Sequence, residues 1–459
     1  MHHVIVGNSI AGVEAALAIR RRDAAARITV VSAESDHPFS RPGLMYVFCG
    51  QLRAEDTELY DRELYARLRF TRVRERVVGV DVKGKSVRFA GGGELAYGRL
   101  LLAVGSKARR LPFAPAAGDA GARGASLADG GSSTASPVRG TAEGDTRADP
   151  LHHFVTRDDA DRLDAAARPG MSVAVVGGGL VGVEVAEILH HRGLHVHWLV
   201  REPWTWPVAL DRAEAALVES RARASGVDVR TGWAVSGMRK EGAGVVLTGP
   251  NGELAVDLVV AAIGVVPNTG FLVGSGVALA ADGAVETRDD LSSTSAPDVY
   301  AAGDCANVTW ADGSRRPETL WYTARDQGRA AGAAMAGEPV RYRRISWTNS
   351  AKFFDLEYST AGFVPLAEVG GRTQPGPGRW QTWSHVTPDG ASLRIVLRDG
   401  EVMGLNALGR RWDTEVWLRW IREKRTLRAV LVSLQEARFD EEFTPAFVAP
   451  TIGTIEEGA

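Results

Sequence analysis

The sequence predicts an α/β chain made of two Rossmann-like units followed by a smaller α+β unit. Three observations carry this. A glycine-rich strand-turn-helix corner occurs twice, at Gly7 to Gly12 and at Gly177 to Gly182, 170 residues apart. Each corner is followed by a second apolar strand, Ile28 to Val31 after the first and His195 to Val200 after the second. From about Pro339 the composition shifts to Trp, Arg and alternating patterns such as Ser392-Leu-Arg-Ile-Val-Leu, which begins a different kind of unit.

At 459 residues the chain is too long for one core and suits two or three domains. A net charge of −2 gives no reason to expect nucleic acid or an anionic membrane as partner. The longest apolar runs, such as Leu258 to Val266, are about half a membrane span and predict buried strands. The first strand begins near residue 3, which leaves no room for a signal peptide, so a cytoplasmic location is expected. The only cysteines are Cys49 and Cys305, and neither a disulfide framework nor a thiolate metal site is expected. His2 and His3, His152 and His153, and His190 and His191 lack a third ligand at metal spacing, so no metal site is expected.

In the first corner the short apolar strand Val4 to Val6 meets a tight turn that opens a helix. Free backbone N–H groups and the positive end of the helix dipole then face a pyrophosphate. The pattern asks for glycine at 7, 9 and 12, and the chain has Gly7, Ser9 and Gly12, with a serine hydroxyl able to bond a phosphate at the middle position. The second corner has all three glycines, Gly177, Gly179 and Gly182, with Leu180 and Val181 between. One such pattern is weak, since any strand-helix corner can produce it. Two in the same context imply two bound dinucleotides and electron flow between them.

The boundaries read as 1–113 for the first half of one nucleotide domain and 114–150 for an insertion of Gly, Ala, Ser and Asp. The insertion cannot offset its ordering entropy and is expected to be disordered. A second nucleotide domain over 151–286, a return to the first over 287–338, and a C-terminal domain over 339–459 follow.

With these motifs in place, the chain resembles the pyridine nucleotide-disulfide oxidoreductase superfamily, whose fold is the glutathione-reductase type with two nucleotide domains. Leu100-Leu-Leu-Ala-Val-Gly-Ser106 resembles the strand ending the first half of the FAD domain, and Ala261-Ala-Ile-Gly-Val-Val-Pro-Asn268 the strand closing the NAD domain. Ala302-Gly-Asp304 resembles the second FAD contact, whose aspartate bonds the ribityl chain. Pro38 to Gly50 and the helix motif Leu320 to Arg329 resemble rubredoxin reductases, ferredoxin reductases and the flavin part of nitrite reductases. Relatives that use thiols keep cysteine beside the flavin, whereas this chain has Pro42 where the single cysteine would stand.

The resemblance implies FAD and NADH or NADPH as cofactors, and hydride transfer from nicotinamide to flavin with delivery to a separate acceptor, a rubredoxin- or ferredoxin-type protein or small acceptor. It implies a FAD site made of Gly7, Ser9, Ala11, Gly12, Glu34, Arg41, Val78, Ala103, Gly105, Gly303 and Asp304. The NAD(P) site comprises Gly177, Gly179, Leu180, Val181, Gly182, Arg201, Glu202 and Gly264. Glu184, in the family's GxxGxE motif, and Trp321 are placed near the nicotinamide. At the end of the second strand Val200 replaces the expected ribose acid; Arg201 favours the 2′-phosphate of NADP and Glu202 favours NADH, so the choice stays open. Thr414 to Gln435 is expected to form one basic amphipathic helix. Packing against the flavin domain or a second subunit is preferred for it over peripheral membrane contact, which would suit a quinone reductase. A flavoprotein subunit or redox sensor without turnover is the remaining alternative.

Overall fold

The computed structural model describes residues 1–113, 150–310, 313–344, 347–364 and 378–440, together with 442, 447 and the strand Glu456–Glu457. The segment expected to be disordered, 114–150, lies outside the described residues apart from Pro150.

His2–Val6 is almost entirely buried, as suits a central parallel strand covered on both faces. It pairs in parallel with Arg27–Ser32 on one side and Arg99–Leu102 on the other. Phe70–Arg74 and Val299–Ala301 complete a five-stranded sheet at its two edges. A second sheet repeats the plan around Ser172–Val176, in the order Asp228–Arg230, His195–Leu199, Ser172–Val176, Leu258–Ala261, Leu151–His152. The register repeats as well: Gly7 N donates to Val31 O at 2.8 Å, and Gly177 N donates to Leu199 O at 2.9 Å. Each unit also carries a three-stranded antiparallel meander, one starting at Val77–Asp81 and the other at Gly237–Glu241.

The fifth strand distinguishes the two. The first sheet takes its last strand, Val299–Ala301, from beyond the whole second unit, so the second unit is inserted into the first. Ser106–Ala108 pairs antiparallel with Val265–Pro267 and ties the two together. The run Leu258 to Val266, expected to be one buried strand, is therefore two strands in different sheets. Gly264, at φ +96°, makes the break, and the apolar residues on either side conceal it in the sequence. Leu272, Val277 and Val285 pack into the core of the first unit, ahead of the boundary expected at 286.

The helices Ile10–Arg22 and Trp321–Met335 pack closely because glycine faces backbone. A Cβ on Gly328 would lie 2.3 Å from Ala11 O, and one on Gly332 would lie 2.4 Å from Ala15 O. That approach carries the late-chain helix onto the first glycine corner.

The C-terminal unit is an antiparallel sheet of six strands, including Leu356–Gly362, Ser392–Arg398 and Glu401–Leu408. The single helix expected over Thr414 to Gln435 is two, Thr414–Arg422 and Leu427–Val432. Lys424 at φ +54° turns the chain, and Thr426 caps the second helix by accepting from Ala429 N. Trp417, Trp420 and Leu427 are buried in the core of this unit, while Arg419 pairs with Glu436, Lys424 with Glu401 and Arg425 with Glu423. The buried apolar face and three of the basic side chains of this segment are thus engaged within the chain. Among the described residues no helix is long and apolar enough to cross a membrane.

One buried charge fixes this unit to the second nucleotide unit. Arg394 Nε lies 3.1 and 3.2 Å from the Glu214 oxygens, Arg394 Nη2 donates to Ala209 O at 2.7 Å, and Asn406 Nδ2 donates to Glu214 Oε1 at 3.0 Å. Both charged side chains are 2 % exposed, and Asp211 lies 3.6 Å from Arg394 as a second carboxylate, so removing Arg394 leaves Glu214 without its cation in low dielectric. Arg394→Met alone is expected to cost about 3–5 kcal/mol in denaturant unfolding, and Arg394→Met with Glu214→Leu to recover most of it.

Candidate functional site

A continuous cavity of about 2410 Å3 runs between the two nucleotide units and is lined by both glycine turns. It exceeds the roughly 300–1,000 Å3 of a pocket for one small ligand.

The glycines divide into two kinds. A Cβ on Gly7, at φ +120°, would lie 2.0 Å from Ala103 O, and one on Gly177, at φ +137°, would lie 2.2 Å from Ala262 O. On Gly12 and Gly182 it would meet the carbonyl oxygens of Gly7 and Gly177, each at 2.0 Å. These four are required by the protein's own packing. Gly179 is different: a Cβ there would meet nothing within 4 Å. It is the N-cap of its helix at ψ −177°, and Ser9 holds the matching place at ψ −171° with no side-chain capping bond. Neither helix has an acid in its first turn, so the first-turn amides face the cavity without a competing carboxylate.

Nearly all the expected site residues line this one cavity. From the first unit these are Gly7, Ser9, Ala11, Glu34, Arg41, Val78, Ala103, Gly105, Gly303 and Asp304; from the second, Gly177, Gly179, Leu180, Val181, Glu184, Arg201, Glu202 and Gly264; and Trp321 joins them. Gly12 and Gly182 do not line it. They sit behind the turns, where they let helix and strand approach.

Glu34 and Arg41 form an ion pair at 2.5 Å. Glu34 also accepts from Arg157 N at 3.2 Å, and Arg41 donates to Val155 O at 3.0 Å, so the pair bridges the two units. Arg201 and Glu202 pair at 2.6 Å, with Arg201 largely in solvent. Val200 is fully buried against Gly178, which accounts for the missing acid at that position: its side chain faces the core. Asp304 accepts from Ser106 Oγ at 2.7 Å. Burial pushes its carboxyl above the usual range, opposed by the Ser106 bond and the Arg41 charge. Glu184 has its carboxyl pushed up to about 7 by burial and then by Glu187.

Sequence reasoning missed a buried network behind Asp304. Gly303 N donates to Gln327 Oε1 at 2.8 Å, Gln327 Nε2 donates to Glu318 Oε2 at 2.9 Å, and Tyr342 OH donates to the same oxygen at 2.6 Å. Arg344 pairs with Glu318 at 2.7 Å and stacks over Trp310 and Trp347 at 3.9 and 4.4 Å. Gln327 stood in the helix motif, but Glu318 and Arg344 lie in loops that carry no pattern.

Neither cysteine lines the cavity. Cys305 Sγ lies 3.2 Å from Leu102 O, and burial pushes its thiol up to about 11. Cys49 packs against the core of the second unit, and burial and then Glu187 push its thiol up. Among the described residues no group of three or more His, Cys, Asp or Glu is placed to hold a metal ion.

Two nucleotide cradles opening into one cavity define a dinucleotide-dependent oxidoreductase. Residues 1–328 match the family model for pyridine nucleotide-disulphide oxidoreductase, and the chain belongs to that family, with FAD and NAD(P)H as its cofactors. It is 30% identical over 430 residues to the 5,5'-dehydrodivanillate O-demethylase ferredoxin reductase subunit of a Sphingobium species, spanning 89% of this chain and 90% of that one. It is 31% identical over 372 residues to the NADH-dependent phenylglyoxylate dehydrogenase subunit epsilon of Aromatoleum evansii, spanning 80% of each. A covalent putidaredoxin reductase–putidaredoxin complex shares the fold with a TM-score of 0.73 at 22% identity, covering 92% of both chains.

The two kinds of glycine predict two kinds of defect. Gly179→Ala is expected to leave the unfolding midpoint unchanged and to weaken nicotinamide binding about tenfold or more in a fluorescence titration. Gly182→Ala, whose Cβ meets a backbone carbonyl at 2.0 Å, is expected to destabilise the fold itself.

Proposed function

We propose that this protein is an NAD(P)H-dependent FAD reductase that passes electrons to a separate ferredoxin- or rubredoxin-type protein, without a redox-active cysteine. The observation that carries the reading is that both glycine turns open into one cavity that no thiol lines. The Sphingobium relative is itself named a ferredoxin reductase subunit, which supports an acceptor of that class.

The residues fit the two nucleotides. Gly179 leaves open the space a Cβ would fill, and so do Gly105 and Gly264. In this reading the first-turn amides beyond Ser9 and Gly179 hold the pyrophosphates. Asp304, oriented by Ser106, accepts from the ribityl chain of FAD, and Glu34 and Glu202 accept from the adenosine riboses. Val78, Ala103 and Leu180 supply apolar walls, and Trp321 excludes water from the ring face. FAD held there would supply a two-electron acceptor for the reduced nicotinamide and a donor to the partner protein. Pro42, on the cavity wall, offers no nucleophile, and the two thiols stand in packing positions.

Anaerobic addition of NADH or NADPH is expected to bleach the flavin rapidly, and the reduced protein to pass electrons to a ferredoxin or rubredoxin faster than to quinone or oxygen. Cys49→Ser with Cys305→Ala is expected to keep turnover within about twofold. Flavin that neither nucleotide bleaches, or turnover lost with the cysteines in a folded variant, contradicts the reading.

A further inference from the structure

Gly12-Val13-Glu14 and Gly182-Val183-Glu184 occupy the same place in the two repeats. Their acids meet opposite surroundings. Glu14 accepts from Arg329 Nε at 2.8 Å and from Tyr60 OH at 2.9 Å, and these bonds hold its carboxyl below the usual range although burial opposes them. Glu184 lines the cavity and has no hydrogen-bond or ion-pair partner among the described residues.

Its neighbours add negative charge. One turn along the same helix face stands Glu187, where the first repeat has Leu17. Glu187 Oε2 is buried and accepts no hydrogen bond among the described residues. Tyr46, half exposed on the helix Leu44–Phe48, lies in the field of Glu184, Glu187 and Glu357. Glu187 itself is influenced by a hydrogen bond from the Phe354 backbone and then by His191 and Lys352, and by Asp355 with the opposite sign; Arg192 acts on Cys49 beside it. A partly buried carboxyl beside a second carboxyl, with no cation of its own, favours the protonated form. Such a group changes protonation near neutrality, where a proton acceptor works best.

We propose that Glu184 is the proton acceptor of this site, with Glu187 beside it one turn along the same helix face. The inference rests on the reductase reading above. One NAD(P)H and two oxidised one-electron acceptors give NAD(P)+, two reduced acceptors and one proton. The C–H bond of the reduced nicotinamide breaks as hydride, which supplies both electrons and the proton: the electrons leave singly to the acceptors, and the proton forms an O–H bond on a carboxylate oxygen of Glu184, which becomes the neutral acid and then loses it to solvent.

Infrared difference spectra of the FAD-loaded protein across pH test this directly. A carboxylic acid band is expected to vanish as pH rises through about 7, to be absent from Glu184→Gln, and to move in Glu187→Gln. No carboxyl titrating near neutrality in the parent protein, or the same band in Glu184→Gln, overturns the proposal. In stopped flow, protein reduced by dithionite and mixed with ferricyanide is expected to reoxidise faster as pH rises through the same range, because only the carboxylate accepts a proton. Glu184→Gln is expected to lose that slope and run on the order of a hundredfold slower at alkaline pH, and Glu184→Asp to restore the slope at a shifted midpoint. An unchanged slope in Glu184→Gln overturns the proposal. Neither measurement uses a nicotinamide nucleotide, so failure of the reductase reading shows separately, as flavin that neither nucleotide bleaches.

Discussion

The carbonyl oxygens of Ala103 and Ala262 pass 2.0 and 2.2 Å from where side chains on Gly7 and Gly177 would begin. That closeness sets the rest of the site. It requires glycine in the left-handed half of backbone space, bends each central strand directly into its helix, and leaves the first-turn amides pointing into the gap. Because the second unit is inserted into the first, with Ser106–Ala108 paired to Val265–Pro267, the two turns open into the same cavity. Two unconnected nucleotide domains would hold two nucleotides; the insertion brings them together.

Duplication supplies a comparison within one chain. The strand order, the register and the meander recur, so matching positions differ for local reasons. Ser9 stands where the second copy has Gly179, at a place the protein's own packing leaves free. Glu14 is tied to Arg329 and helps clamp the late-chain helix, while its counterpart Glu184 is left without a partner in the cavity wall. One copy of the acid serves packing and the other is available for chemistry.

Much of this was legible in the sequence. The glycine spacing marks both corners, and the order of the later motifs brings Asp304 back beside Ser106 across nearly 200 residues of chain. Where reading failed, local pattern did not carry the deciding contact. Gly12 and Gly182 belong to the motif, yet they pack against their own turns. The run Leu258 to Val266 hides its break because the residues on both sides of Gly264 are apolar. The amphipathic pattern over Thr414 to Gln435 averages across Lys424, whose positive φ no periodicity reveals. Glu318 and Arg344 come from loops, and only the folded chain shows that they hold Gln327 against Gly303.

With Pro42 on the cavity wall and both thiols packed elsewhere, the flavin is expected to be the last redox centre of this chain. Anaerobic reductive titration with dithionite counts the electrons each bound flavin accounts for. Full reduction is expected at two electrons per FAD, with no further uptake and no thiols newly reactive to an alkylating probe. Uptake of four electrons per FAD, with thiols becoming reactive on reduction, would contradict it.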